Sequence, residues 1–398
     1  MAAQKGIGRK IQFGIAKETT RGTAISAATY WNPWMDLLLE NKKELVPDDQ
    51  AYGVIEDNVN FTETKRHAQG EITGIMTDTT FGLFMLAIFG TDTPSGPADT
   101  TVYTHVYTLA QNAQHTSLTL FKHDPLAFVD YSYANAVVEK LELTMEVKKF
   151  IQYKASLVSQ AGAAQSAFTP ATTSENRFVA RMLTAYFAME YQGLIGALTA
   201  TGTAASTVHV TSLSISTTKL KVGMGVSGSN VQVGSTVASI VSDTAFDLSA
   251  ATTGTMGSLT FSPVAIALKT AKVTLNPNIE HQDVLGSIGP ADFLNKEYNV
   301  EGTFEAILQN ESDFKTLFEG PTYFSMRLDA KNTDQKIAGA ASTYPEMILD
   351  FPKVTILEYS TPYKVKDLVY QSIKFRASYS ATDTAMVKGK LINAVATY

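Results

Sequence analysis

Ile151-Gln152-Tyr153-Lys154-Ala155-Ser156 and Ile373-Lys374-Phe375-Arg376-Ala377-Ser378 read IQYKAS and IKFRAS, nearly one hexapeptide written twice in a chain of 398 residues. Upstream of each copy lies a second match: GEITGIMTD at Gly70–Asp78 and GTFEAILQN at Gly302–Asn310. The hexapeptides are 222 residues apart (373 − 151) and the upstream pair 232 apart (302 − 70). Two matches in the same order and at similar spacing point to a duplicated unit, and self-similarity of this kind decides the fold before any local reading.

Outward from these anchors, the alternation of apolar and polar residues identifies strands. Val138–Val158 reads as two long strands around Val147-Lys148-Lys149. Leu141, Leu143, Met145 and Val147 share one face of the first, with Glu142, Thr144 and Glu146 on the other. Ile151, Tyr153, Ala155 and Leu157 share one face of the second. Before them, Val59–Ile75 alternates, and Asp78-Thr79-Thr80-Phe81 opens a helix closed by Gly90, with Asp78 as N-cap and Gly90 as the left-handed residue at its end. Asn310 to Gly320 repeats that cap chemistry. In the later half, Leu294–Leu308, Phe324–Leu328, Glu346–Phe351, Val354–Glu358, Asp367–Tyr379 and Met386–Tyr398 read as strand regions; no counterpart of Tyr103–Phe121 is visible there.

Between the copies the composition changes. From Leu194 to Pro263 there is no Arg, Trp or Tyr. Short β-rich runs at Thr207–Val210, Leu220–Val222, Thr236–Val241, Phe246–Leu248 and Ser258–Phe261 alternate with turn residues, the pattern of a small all-β domain. The flanking strands Leu183–Tyr191 and Ala267–Leu275 would pair, bringing the ends of the insertion together at a loop tip. The division is 1–193, 194–263 and 264–398. The fold class is mainly β: two duplicated β-sandwich or barrel units, each with one flanking helix, plus an inserted all-β, Ig-like domain.

Composition narrows the function. Cysteine is absent, which excludes disulfides and cysteine-ligated metals. The net charge of −6 disfavours tight, counterion-releasing nucleic-acid binding; it also suits plain solubility. No signal segment follows the basic start MAAQKGIGRK, and the longest apolar stretch, Phe81–Phe89, is too short to span a bilayer. These features place folding in a cytoplasm. Gly223-Met224-Gly225-Val226-Ser227-Gly228 fits GxGxxG, but strand-like residues rather than a helix follow it, so its glycines read as turn residues. His67, His105, His115, His123, His209 and His281 are scattered without ligand spacing. Asp48-Asp49, Glu56-Asp57 and Asp124 form no arguable acid/base pair. No catalytic, cofactor-binding or metal-binding residue is assigned. Lys148-Lys149 and Lys364/Lys366 read as protection of strand ends. Tyr30, Trp31, Pro33 and Trp34 suggest either an exposed docking arm or a satellite hydrophobic cluster. Long alternating strands in a doubled unit suit assembly, because closing many subunits into one barrel removes every open edge.

Three stretches carry a resemblance. They are GIAKETTRGT at Gly14–Thr23, the Gly70–Gly90 strand-and-helix unit, and YANAVVEKLEL at Tyr133–Leu143. With these the chain resembles the major tail (tail tube) proteins of long, non-contractile-tailed bacteriophages, and Val222–Ser249 resembles small β decorations of phage tail and fibre proteins. The resemblance implies a non-enzymatic virion subunit, made in the host cytoplasm, whose rings stack into a tube through which DNA passes during genome ejection. Six tube folds per ring imply a trimer of doubled chains with pseudo-sixfold symmetry, or otherwise a hexamer. Tape-measure and tail-terminator proteins are the implied partners; no cofactor and no membrane are. The inserted domain would project outward, the lumen face would be net acidic, and the N-terminal arm and the Gly96–Thr101 loop would contact neighbouring rings. The alternative is a cell-surface or virion carbohydrate- or protein-binding module, against which stands the scarcity of aromatics in the insertion, only Phe246 and Phe261. A hydrolase with an unrecognised site is the third reading.

Overall fold

The computed structural model describes all residues except 1–6, 58–59, 126–128, 166–167, 308–311, 321 and 364–367, and not the side chains of 312–313. The strands of the first half are β1 (Gln12–Lys17), β2 (Tyr30–Asn32), β3 (Asp36–Pro47), β4 (Phe61–Ile75), β5 (Gly90–Ala98), β6 (Val102–Leu109), β7 (Leu118–His123), β8 (Asp130–Glu146), β9 (Gln152–Ser159) and β10 (Ala163–Gln165), with helix α1 (Phe81–Phe89) between β4 and β5. After β11 (Leu183–Ala188) and the short helix α2 (Tyr191–Leu194) come β12 (Leu198–Thr201), β13 (His209–Val210), β14 (Gly225–Gly228), β15 (Val237–Ser242), β16 (Ala245–Leu248) and β17 (Ser258–Ser262). The later half holds β18 (Val264–Ile266), β19 (Leu268–Asn276), β20 (Ile279–Gln282), β21 (Asp292–Asn295), β22 (Asn299–Ile307), helix α3 (Ser312–Glu319), β23 (Phe324–Lys331), β24 (Glu346–Ser360), β25 (Tyr370–Ala377) and β26 (Lys388–Asn393).

The main sheet follows the order β3-β4-β9-β8-β19-β22-β25-β24, antiparallel throughout. Its first four strands and its last four have the same order, and the fourth of one set pairs with the first of the other. A second layer repeats as well. β1 pairs with β2 and β7, while β11 pairs with β18 and β23. The inner faces of both layers, with α1, make one continuous core that includes Phe84, Leu141, Ile151, Phe304 and Ile373.

Register shows which residues correspond. Gly70 lies opposite Leu157 and Gly302 opposite Phe375. Leu157 and Phe375 are 218 residues apart, so Phe375 corresponds to Leu157 and not to Tyr153. Two bulges agree with 218: one between Val138 and Lys140 and its counterpart between Ile356 and Glu358, and one where Ala136 and Tyr133, like Val354 and Phe351, meet the preceding strand. The hexapeptide match at 222 is therefore corrected by four residues. A four-residue slip along a strand returns every side chain to the same face, so both alignments show equally good alternation. The match of Gly70 with Gly302 stands, for a steric reason. A Cβ on Gly302 would come within 2.5 Å of the Lys272 carbonyl, and one on Gly70 would overlap the carbonyl of Leu38, which holds the same place on β3 as Lys272 on β19.

Two insertions separate the halves. Ile15 and Phe187 correspond at 172 residues, Tyr30 and Val264 at 234; the difference of 62 is the inserted segment. It forms two three-stranded antiparallel sheets, β12-β17-β14 and β13-β16-β15, around its own core of Met224, Phe246 and Phe261. Leu220–Val222 is not a strand, whereas β14 lies within the GxGxxG stretch. Its ends are joined by β11 and β18, which pair at Ala185–Phe187 and Val264–Ile266; Leu268–Asn276, expected to be part of that pairing, instead joins β8 to β22. The β5–β6 hairpin explains the stretch without a counterpart: β6 pairs with β26 and extends the sheet of the other half.

All nine residues of α1 are buried. Gly90 ends it with φ 84°, as its position suggests, and its N–H donates to Leu86 O. Asp78 is not the N-cap. Thr80 holds that place, and its N–H and hydroxyl both donate to the Glu175 carboxylate from the segment linking the halves. Asp78 accepts from Asn176 instead (3.0 Å from N, 2.7 Å from Nδ2). A contact some hundred residues away in sequence thus replaces the local cap. Asn310 lies outside the described residues, and Gly320 does not take a left-handed conformation.

Candidate assembly surface

The outward face of the main sheet carries the polar half of each alternating strand. Cross-strand ion pairs run along it: Lys154–Glu71 (2.8 Å), Lys272–Glu142 (3.1 Å), Lys374–Glu358 (2.8 Å) and Arg376–Glu301 (3.9 Å). Burial pushes the Glu142 carboxyl up, but hydrogen bonds from Lys140 and Lys272 outweigh it and hold the group below the usual carboxylate range. Solvent screening leaves pairs of this kind little net effect on stability. Their effect is on the field: cations sit beside acids, so this face is charge-paired rather than uniformly acidic.

Among the described residues, no strand covers the outer edge of β3, and none pairs with β24 beyond Val354 on the side away from β25. These edges stand at opposite ends of the eight-strand order. Each presents backbone donors and acceptors that further strand pairing would satisfy. Beside the β24 edge, Phe318 of α3 stacks on Tyr359 and is 42% exposed, in contrast to the enclosed α1.

The β3–β4 hairpin extends past the sheet, with Leu45, Val46, Tyr52, Val54, Ile55 and Phe61 exposed. An apolar set of this kind on a protruding ribbon marks an interaction site. Its polar neighbours hid it in the sequence, because exposure cannot be read from alternation. The β20–β21 hairpin straps its base: Arg66 N–H donates to Ile288 O (2.6 Å), Lys65 pairs with Asp283 (2.8 Å), and the rings of His67 and His281 meet edge to face at 5.0 Å. Burial lowers the pKa of both imidazoles, and both Nδ1 atoms are buried without a hydrogen-bond partner.

The GIAKETTRGT segment is a buried polar clasp. The Glu18 carboxylate accepts from Gly22 N, Ser117 Oγ, Thr119 Oγ1 and Asn135 N. Arg21 reaches the other half, pairing with Asp292 (2.7 Å) and donating to the carbonyls of His115 and Phe293. Asp292 is held below the usual range: burial opposes this, but the Phe293 N–H, Gln114, Asn135 and Arg21 all donate to it. Trp31 is buried against Phe121 and Phe168, which makes it part of a satellite cluster and not an exposed arm. Trp34 donates to Ile11 O (3.0 Å). The Gly96–Thr101 loop is tied within the chain, for Asp99 accepts from Ala341 N, Ser342 N and Thr343 Oγ1, which bring its pKa down to about 2.

The scattered residues stay scattered. His105, His123 and His209 pair with Asp92, Asp130 and Asp247, and His115 faces the Ile88 and Ala110 carbonyls. Asp48 accepts from Gln50 N–H and the Tyr52 hydroxyl, a local turn. Lys148 and Lys149 lie in the β8–β9 turn; Lys364 and Lys366 lie outside the described residues. After β14 comes another strand, so the glycine-rich stretch has no helix to receive a phosphate. Among the described residues no three His, Asp or Glu side chains are grouped to hold a metal, and no helix is long and apolar enough to cross a membrane.

Paired polar faces, open sheet edges and an apolar ribbon define a β-rich structural subunit. The family model described as phage tail tube protein matches residues 8–216, more than half of the chain, and the chain belongs to that family. It is a structural component of the bacteriophage virion, a major tail tube protein. No curated protein matches it.

Proposed function

We propose that three copies close head to tail into a ring, and that rings stack into the tail tube through which the genome leaves the virion. One observation carries this reading: inside one chain, β8 already joins β19, so two like four-stranded units stand side by side in the same sense. Repeating that junction between chains leads from β24 of one copy to β3 of the next. Such a head-to-tail contact makes a ring when the rotation closes. The two units would be a fused pair of tube folds; because β11, among the described residues, pairs with β18 and β23 alone, the boundary would fall before β11 rather than at residue 193.

Three chains of eight strands make a barrel of about 24 strands, roughly 37 Å across between backbones at about 4.8 Å per strand, and wider with tilt. The charge-paired face would line its bore. Cations held beside carboxylates offer a phosphate backbone no run of free cations to bind, so DNA would slide without adhering. The β3–β4 ribbon supports stacking, with tape-measure and terminator proteins at the ends of the tube. The inserted domain, with its separate core, would stand outside the wall as a decoration. Assembly would take place in the host cytoplasm.

Negative-stain microscopy of the purified protein tests the reading. Rings or tubes with a central bore are expected at high concentration. A monodisperse monomer at every concentration would refute it.

A further inference from the structure

The open edges of β3 and β24 would meet in the ring, and the β8–β19 junction inside the chain sets the register. We infer that in the assembled protein Ser360, Thr361 and Tyr363 of one copy lie opposite Glu40, Leu39 and Leu37 of the next; this rests on the head-to-tail reading and sharpens it.

The β8–β19 junction pairs Glu142 with Thr274, Leu143 with Val273 and Met145 with Ala271. The 218-residue correspondence moves Glu142, Leu143 and Met145 to Ser360, Thr361 and Tyr363. The correspondence of Tyr30 with Val264 and of Leu38 with Lys272 (264 − 30 = 272 − 38 = 234) moves Thr274, Val273 and Ala271 to Glu40, Leu39 and Leu37.

Side-chain environment agrees. Met145 is buried at the internal junction, whereas Tyr363 is 69% exposed in the single chain and would be covered by Leu37 of a second copy. Backbone direction agrees too. Val147 N–H donates to Lys269 O, so on β8 the odd-numbered residues direct their N–H groups toward β19. By the correspondence, Thr361 and Tyr363 direct theirs toward the neighbour, and the N–H that Pro362 lacks would point to the β25 side, so its absence takes no donor from the new junction.

The chain contains no cysteine, so a designed disulfide has no competitor. Ser360 and Glu40 would form a pair with Cα atoms about 4.5 Å apart, inside the range a disulfide spans. Protein carrying Ser360→Cys and Glu40→Cys, assembled and then oxidised, should give a reducible covalent ladder on denaturing gels that stops at the trimer. Ser360→Cys with Glu44→Cys reports a four-residue slip and should stay monomeric. Tyr363→Asp should keep the parent's denaturation midpoint yet fail to assemble. Tubes that form but cross-link only in the variant carrying Glu44→Cys, or in neither variant, overturn the register and leave the tube reading intact. Normal tubes from Tyr363→Asp overturn it as well. A ladder that runs past the trimer refutes closure by three copies, and absence of any assembly in the parent protein removes the tube reading and the register with it.

Discussion

Gly302→Ala is the sharpest probe of the repeated register. Its backbone lies outside the left-handed region, so an Ala there has no conformational penalty, and the effect is steric. The new Cβ would sit 2.5 Å from Lys272 O and 2.5 Å from the Phe375 ring. Relief to an ordinary contact moves the β19 backbone by about 0.5–0.9 Å, which stretches adjacent N···O distances from about 2.9 Å to the limit of a hydrogen bond. Strain of this sort costs about 1–3 kcal/mol and two weakened ladder bonds about 1 kcal/mol each. Replacing a strand glycine returns about 0.5–1 kcal/mol of chain entropy. The net loss is about 2–4 kcal/mol, read as the shift in denaturant midpoint at constant m. Gly70→Ala meets the carbonyl of Leu38 in the same way and should lose a similar amount. Losses below about 1 kcal/mol at both positions would refute the steric reasoning, and a loss that small at one position only would refute the equivalence of the two glycines.

Ile151→Asp and Ile373→Asp each place a carboxylate at a fully buried position; with a burial cost of several kcal/mol, neither variant should yield soluble folded protein, as checked by circular dichroism and yield. Removal of 196–262 with a short linker should leave rings and tubes intact in micrographs, because β11 and β18 already bring the ends together. The strap on the β3–β4 ribbon should loosen in acid. His67 faces Lys42, Glu44, Lys65, Asp283 and His281, and His281 faces the same set except Lys42. With both folded-state pKa values held below the ordinary value of about 6.5, their contribution is complete above that pH and is lost as pH falls below it. Faster proteolysis of the ribbon below about pH 6.5 is expected, and His67→Gln with His281→Gln should abolish that dependence; a ribbon equally protected in mild acid and in mild base would contradict the assignment.

Much of the architecture is written in side-chain alternation. Leu141, Leu143 and Met145 against Glu142, Thr144 and Glu146 mark both a strand and its faces. The loss of Arg, Tyr and Trp after Leu194 marks an insertion with its own small core, and Gly90 marks a helix end, because a left-handed residue is a local requirement. Asp78 is not the N-cap because Thr80 holds that place, and the carboxylate that satisfies it, Glu175, arrives from another part of the chain. The apolar ribbon and the open edges were illegible for a related reason: exposure depends on what else packs nearby.

By itself, then, the sequence determined that this is a β protein whose strands carry one apolar and one polar face, with a β-rich stretch of distinct composition after Leu194, since each of those rests on residues close together along the chain. Tertiary structure alone decided the register. A strand of period two looks the same after a slip of two or four residues, and only the carbonyls of Leu38 and Lys272 pressing on Gly70 and Gly302, with bulges at matching places, select one alignment and with it the edge that a second copy would meet.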